Sequence, residues 1–423
     1  MQQSRQSRPG SNALTIAQLI VSSFGLISAV LGAGLLLIMG FSALFSEVLD
    51  LASATSIFNM AWVSGLLAAL ALPSLVYSFQ RMRGEEPHLL PTGRLRWASL
   101  LLMVWPLALA LGNQVAAQSS LAWLLLPPLY LLAVGLPIWW LVELARQRLP
   151  GGSRQREWGL LNFSLLVTTP VVIVVEIAIL GVLILFFAAW LSSRPDLVTQ
   201  LEILAQRLLT SQPNPESILQ LARPYLQNPL VIFSILAVLA GLIPLIEELL
   251  KPLALWALAG RHLTPAEGFV AGALCGGSFA LLESLLSLAG PLQDSWAALA
   301  VARVGTGLLH ITTTALVGWA LATAWQSGSY LRLGLAYLLA VGLHGLWNAL
   351  SVLSGVGTLF LERPPDNLRF LIGFSQSASF SIPFLALLLF LLLVGGNRLL
   401  SKTLPLTRPA PPALDNNDIL ETH

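Results

Sequence analysis

Charge is what this sequence has little of. Only 10% of its 423 residues are Asp, Glu, Lys or Arg, against about 25% in an average soluble domain. So few charges cannot cover a water-facing surface of this size, which excludes a soluble enzyme and a disordered scaffold. A net charge of +2 offers no footprint for a polyanion, so no nucleic-acid partner is expected. Cysteine occurs once, which excludes a disulfide framework and a cysteine-based metal site. In their place are apolar residues, 56% of the chain, with a mean hydropathy of +0.78. The solvent for most of this protein is lipid.

A bilayer core of about 30 Å needs about 20 apolar helical residues to cross it. Ten stretches qualify, near 14–45, 58–79, 97–116, 121–144, 159–190, 229–259, 266–289, 296–325, 331–354 and 371–395. They are long and rich in Leu and Ala. Strands of a closed barrel would instead be short and alternating, so the expected fold is all-α, a polytopic bundle of about ten transmembrane helices. The first stretch is too long for a signal-peptide core and reads as a retained helix. Lys and Arg concentrate in alternate connections, among them Arg81, Arg83, Arg94 and Arg96, then Arg146, Arg148, Arg154 and Arg156. That asymmetry puts both termini in the cytoplasm, as expected of an integral protein of a bacterial plasma membrane.

The chain divides into an N-terminal membrane region (1–190), an external amphipathic connection (191–228), a core of four helices (229–355), a last transmembrane helix (356–398) and a proline-rich, disordered tail (399–423). In the connection, Leu197, Leu201, Leu204 and Leu208 recur at helical spacing before a Pro213-Asn214-Pro215 break. This fits helices lying on the membrane surface, or a lid over a site.

A charge inside a transmembrane helix costs at least about 2.5–3.5 kcal/mol and marks function by default. Well inside the stretches stand Glu176, Glu247, Glu248, Lys251, Glu283, Arg303, His310 and His344, all but the first between 247 and 344. Glu247 and Lys251, four apart, share a helix face and can pair, which leaves the adjacent Glu248 without a structural explanation. Phe279 and Glu283 share a face after the close-packing pair Gly276-Gly277. Arg303 and His310 are two turns apart, and His344 shares a face with Asn348. Carboxylates and imidazoles suit a catalytic Zn²⁺ with an open position. They equally suit a site without metal, where glutamate activates water and His and Asn stabilise an oxyanion. Glu176 stands apart and reads as a packing residue.

This ordered set resembles the PrsW-type intramembrane proteases, themselves distantly similar to the CAAX-processing and bacteriocin-immunity membrane proteases. The resemblance rests on Glu247-Glu248-x-x-Lys251, Phe279-x-x-x-Glu283, Arg303…His310 and His344-x-x-Trp347-Asn348, in order on four successive helices across about 230–355. One departure is Ser284, where many relatives carry Asn. The resemblance implies hydrolysis of peptide bonds in membrane-anchored proteins. In the corresponding mechanism Glu248 activates water and Glu247 shares or tunes the proton. His310 and His344, with Asn348, bind a metal or stabilise the oxyanion, and Glu283 is a third ligand or an orienting group. Lys251, Phe279 and Arg303 contact substrate or balance charge.

Counting about 1.5 Å per residue puts His310 and His344 near mid-membrane, but Glu248 nearer the inner surface and Glu283 nearer the outer. Two other functions keep buried charge in ten spans: a secondary transporter and a catalytically silent scaffold or sensor. A transporter would show an inverted repeat, whereas here the charges sit in one block.

Overall fold

The computed structural model describes residues 10–46, 51–85, 93–118, 120–195, a few positions between 198 and 206, and 229–288, 296–360 and 369–403. The leucine pattern and proline break of the connection, and the tail beyond Thr403, lie outside the described residues. Eleven helices follow in order: α1 (Gly10–Leu44), α2 (Leu51–Met82), α3 (Arg94–Leu102), α4 (Trp105–Gln118), α5 (Ala122–Ala145), α6 (Arg154–Leu191), α7 (Leu230–Trp256), α8 (Pro265–Leu288), α9 (Trp296–Ser327), α10 (Tyr330–Phe360) and α11 (Arg369–Thr403). No strand occurs among the described residues. Among the described residues nine helices are long and apolar enough to span a bilayer, and α3 with α4, bent by 41° at a short break, would make a tenth if the pair is one broken span. The protein is an all-α polytopic membrane bundle, and its spans fall where the apolar stretches predict.

Three spans contain a turn of π-helix, at Leu131–Gly135, Ser164–Thr168 and Ala237–Leu242. Each precedes a proline, Pro137, Pro170 or Pro244. Proline clashes with the carbonyl four residues earlier, and in all three cases that carbonyl lies inside the widened turn. In lipid the affected backbone groups must find other partners. Ala133 accepts a hydrogen bond from the Trp105 indole at 2.8 Å, and Leu239 accepts one from the Asn348 amide at 2.8 Å.

The centre of the bundle is the hairpin of α8 and α9, whose residues are mostly buried. Gly268, Gly272 and Gly276 recur every four residues along α8. A Cβ on any of them would strike the α9 backbone, at the carbonyls of Gly318, Thr314 and His310 respectively. Small residues let helix backbones touch in this way. Gly276→Ala must therefore move the α9 backbone at His310. The expected cost is about 1–3 kcal/mol of stability, measured by denaturant unfolding in micelles. Gly181→Ala, where a Cβ meets nothing, should change little.

At the arginine-rich end, ion pairs join the helices. Arg94 reaches Glu143 and Glu157 at 3.0 Å each, Arg146 pairs with Glu157, and Arg156 reaches Glu267 at 2.6 Å. Glu143, Glu157 and Glu267 lie at helix ends, and the sequence reading of buried charge did not single them out.

Candidate active site

α7 delivers its charged motif at a break. The helix ends at Leu250, and Lys251 and Pro252 form a turn before four more helical residues. Glu247, Glu248 and Lys251 are all buried there. The Lys251 ammonium lies 2.8 Å from Glu247 Oε2, 2.8 Å from Glu248 Oε1 and 2.7 Å from His310 Nδ1. It also stands 4.7 Å from the centre of the Phe279 ring, a cation–π distance. A lysine has three N–H donors and no acceptor; Glu248 Oε1 and His310 Nδ1 take hydrogen bonds from it, while Glu247 is its ion-pair partner.

The tautomers follow from this network. His310 Nδ1 accepts from Lys251, so its proton is on Nε2, which donates to Glu283 Oε2 at 2.9 Å. His344 Nδ1 donates to Glu248 Oε1 at 2.9 Å, leaving the Nε2 lone pair on the side of Glu247 Oε2, 3.9 Å away. Each imidazole thus has one nitrogen held by a carboxylate and the other turned inward. The two rings meet edge to face at 5.1 Å, and Phe279 meets His310 in the same way. Glu283 is held in turn by Arg303 at 2.7 Å, and Arg303 Nε donates to Ser284 Oγ at 3.1 Å. The serine that departs from the resemblance therefore still accepts a hydrogen bond.

The structure brings Glu247, Glu248, Lys251, Phe279, Glu283, Arg303, His310 and His344 into one contiguous array. The depth conflict dissolves, because Glu248 and Glu283 need not be level. They flank the array, with Lys251 and the two imidazoles between them. Asn348 is placed elsewhere, one turn from His344, with its amide on the Leu239 carbonyl of the π-turn. Tyr337 donates to the Leu245 carbonyl at 2.7 Å, so α10 is pinned to α7 on both sides of His344. Sequence reasoning set Glu176 aside, yet its carboxyl interacts with that of Glu247 from α6. Its only signal in the sequence was its cost in lipid.

One ligand atom each from Glu247, His310 and His344 lie within 4.8 Å of one another. A carboxylate and two imidazoles are a suitable donor set for a catalytic divalent metal. The cluster also holds three carboxylates, Glu247, Glu248 and Glu283, against two fixed cations, Lys251 and Arg303. That excess of anionic groups in an apolar bundle fits a divalent cation. The ammonium of Lys251 lies among these donors, on the lone pair of His310 Nδ1.

A family model described as PrsW family intramembrane metalloprotease matches residues 169–386, just over half of the chain. The chain belongs to the PrsW family. No curated protein and no solved structure matches it. The PrsW match extends beyond the four motif helices. It starts within α6, and so includes Glu176, and runs into α11. At family level the PrsW assignment makes this an integral membrane protease of the metal-dependent kind.

Proposed function

We propose that this protein cleaves membrane-anchored proteins at the Glu/His cluster of α7–α10, with Glu247, His310 and His344 as ligands to a metal, Zn²⁺ being the best match to the donors. The observation that carries the reading is the pair of imidazoles, each steered by a carboxylate toward Glu247. Carboxylates that hold the outer nitrogen of a ligating histidine fix its tautomer and raise its basicity. Glu248 does this for His344, and Glu283 for His310. Glu283 is therefore an orienting group here, and Glu247 takes the third ligand position. When bound, the metal supplies Lewis acidity and a water of lowered pKa.

The remaining work falls to the chain. Glu248 uses only Oε1 in its hydrogen bonds, while Oε2 is buried without a partner. Oε2 is the acceptor for the proton of the attacking water. Lys251 neutralises Glu247 and Glu248 in the absence of other cations. Arg303 does so for Glu283. Phe279 walls the ammonium and His310 away from lipid. Asn348 serves the site indirectly, by holding the π-turn that sets the rotation of α7. Glu176 abuts Glu247 and belongs to the same charge balance.

The test uses purified protein in vesicles together with single-span proteins tagged at both ends. Cleavage should stop on chelation and return with Zn²⁺. Elemental analysis should find one divalent metal per chain, lost in His310→Ala and His344→Ala. Cleavage unimpaired by exhaustive chelation would sink the metal-dependent reading.

A further inference from the structure

A cavity lies away from the Glu/His cluster, at the arginine-rich end of the bundle. It has a volume of about 350 Å³ and lies between α1, the end of α2, the start of α6 and the segment that follows Lys251. Its size is that of a small-ligand site. Arg81, Arg156 and Arg261 line it, and among the described residues no Asp or Glu does. Arg156 is paired from outside the lining with Glu267. Deeper in the cavity, Gln18, Gln155 and Asn162 contribute amides. Asn162 is only 1% exposed, its Nδ2 donates to Ser22, and its Oδ1 has no partner. Arg156 Nε is likewise buried without a partner. A donor-hungry oxygen and an acceptor-hungry nitrogen buried in one cavity call for a ligand carrying both a hydroxyl and an anionic group. The remaining wall is apolar, with Leu14, Val21, Phe163 and Leu258.

We propose that this cavity binds one anionic phospholipid whose headgroup carries hydroxyls, the phosphate lying among Arg81, Arg156 and Arg261 and a headgroup hydroxyl donating to Asn162. Basic pockets between transmembrane helices recognise anionic lipid headgroups by this chemistry. The apolar wall favours an amphiphile over a free phosphate. The back wall, Ala254 to Arg261, directly follows Lys251, so the lipid braces the turn that presents the charged motif. The lining shares no residue with the Glu/His cluster, and the proposal stands independently of the catalytic reading.

Native mass spectrometry of the full chain, purified in micelles of equimolar phosphatidylglycerol and phosphatidylcholine, tests this. One phosphatidylglycerol per chain should be retained. Arg81→Ala with Arg261→Ala should lower retention by about tenfold or more, the loss expected for charge-assisted contacts. Arg332→Ala removes an exposed charge outside the cavity and should leave retention unchanged. Ala257→Trp fills the cavity from an exposed position and should expel the lipid without removing a charge. Asn162→Leu should erase the preference for phosphatidylglycerol over phosphatidic acid, which has no headgroup hydroxyl. Equal loss in Arg332→Ala, or full retention in Ala257→Trp, would overturn the proposal. Displacement of the lipid by millimolar inorganic phosphate would assign the cavity to free phosphate instead. An unchanged lipid preference in Asn162→Leu would remove the hydroxyl from the assignment.

Discussion

Lys251→Met should destabilise the metal-free protein by about 3–5 kcal/mol, the cost of stripping the partner from a buried charge. The ammonium is fully buried and holds Glu247 and Glu248 at 2.8 Å each. Methionine fills nearly the same volume but leaves two adjacent carboxylates in an apolar interior. Only His344, bonded to Glu248, remains to relieve them. The same donors would hold a divalent metal, so lysine and metal compete for Glu247 and for His310 Nδ1. The loss should therefore appear in full in chelator and be largely recovered at saturating Zn²⁺, because a ligand bound only by the folded state stabilises it by mass action. Denaturant unfolding in mixed micelles, with and without Zn²⁺, measures both arms. A variant as stable as the parent chain in chelator would show that the carboxylates do not depend on the ammonium.

The second large effect separates Glu248 from Glu283. Both hold the outer nitrogen of a histidine, but only Glu248 retains a buried oxygen without a partner. In Glu248→Gln the amide oxygen still accepts from His344 Nδ1, so the ring stays oriented while the proposed base is lost. The cleavage rate should fall by about 10²–10⁴-fold with bound metal retained. Glu283→Gln keeps an acceptor for His310 Nε2 and loses only charge and Arg303 pairing. The expected loss there is about 10–100-fold, accompanied by weaker metal binding. Initial rates on a tagged single-span substrate, paired with elemental analysis, give both values. If Glu283→Gln were the more damaging and Glu248→Gln nearly silent, the proton acceptor would have to be reassigned.

Much of the site was legible in the sequence because lipid makes charge costly. Each ionisable residue well inside an apolar stretch had to be functional or paired, and apart from Glu176 these residues were named with their helices. Arg303 shows how far that reasoning reaches. Its options were a substrate contact or charge balance, and packing set it on Glu283. Asn348 shows where it stops. It shares a helix face with His344, but a shared face says nothing about depth. A π-turn carbonyl one turn along claims its amide. Glu176 reads as a packing residue in the sequence, but nothing in a single helix reveals that its neighbour on another is Glu247.

By itself the sequence determined the solvent, the spans and the identity of the buried ionisable groups, because hydropathy and the cost of buried charge are local properties. The tertiary structure decided how those groups are arranged. Helical periodicity sets a residue's direction from its own axis, but not the register of one helix against the next. That register comes from the glycine stripe that seats α8 on α9 and from the proline-driven π-turn that rotates α7. Together they put Glu247, rather than Glu283, beside the two inward-facing nitrogens, with Lys251 at the centre.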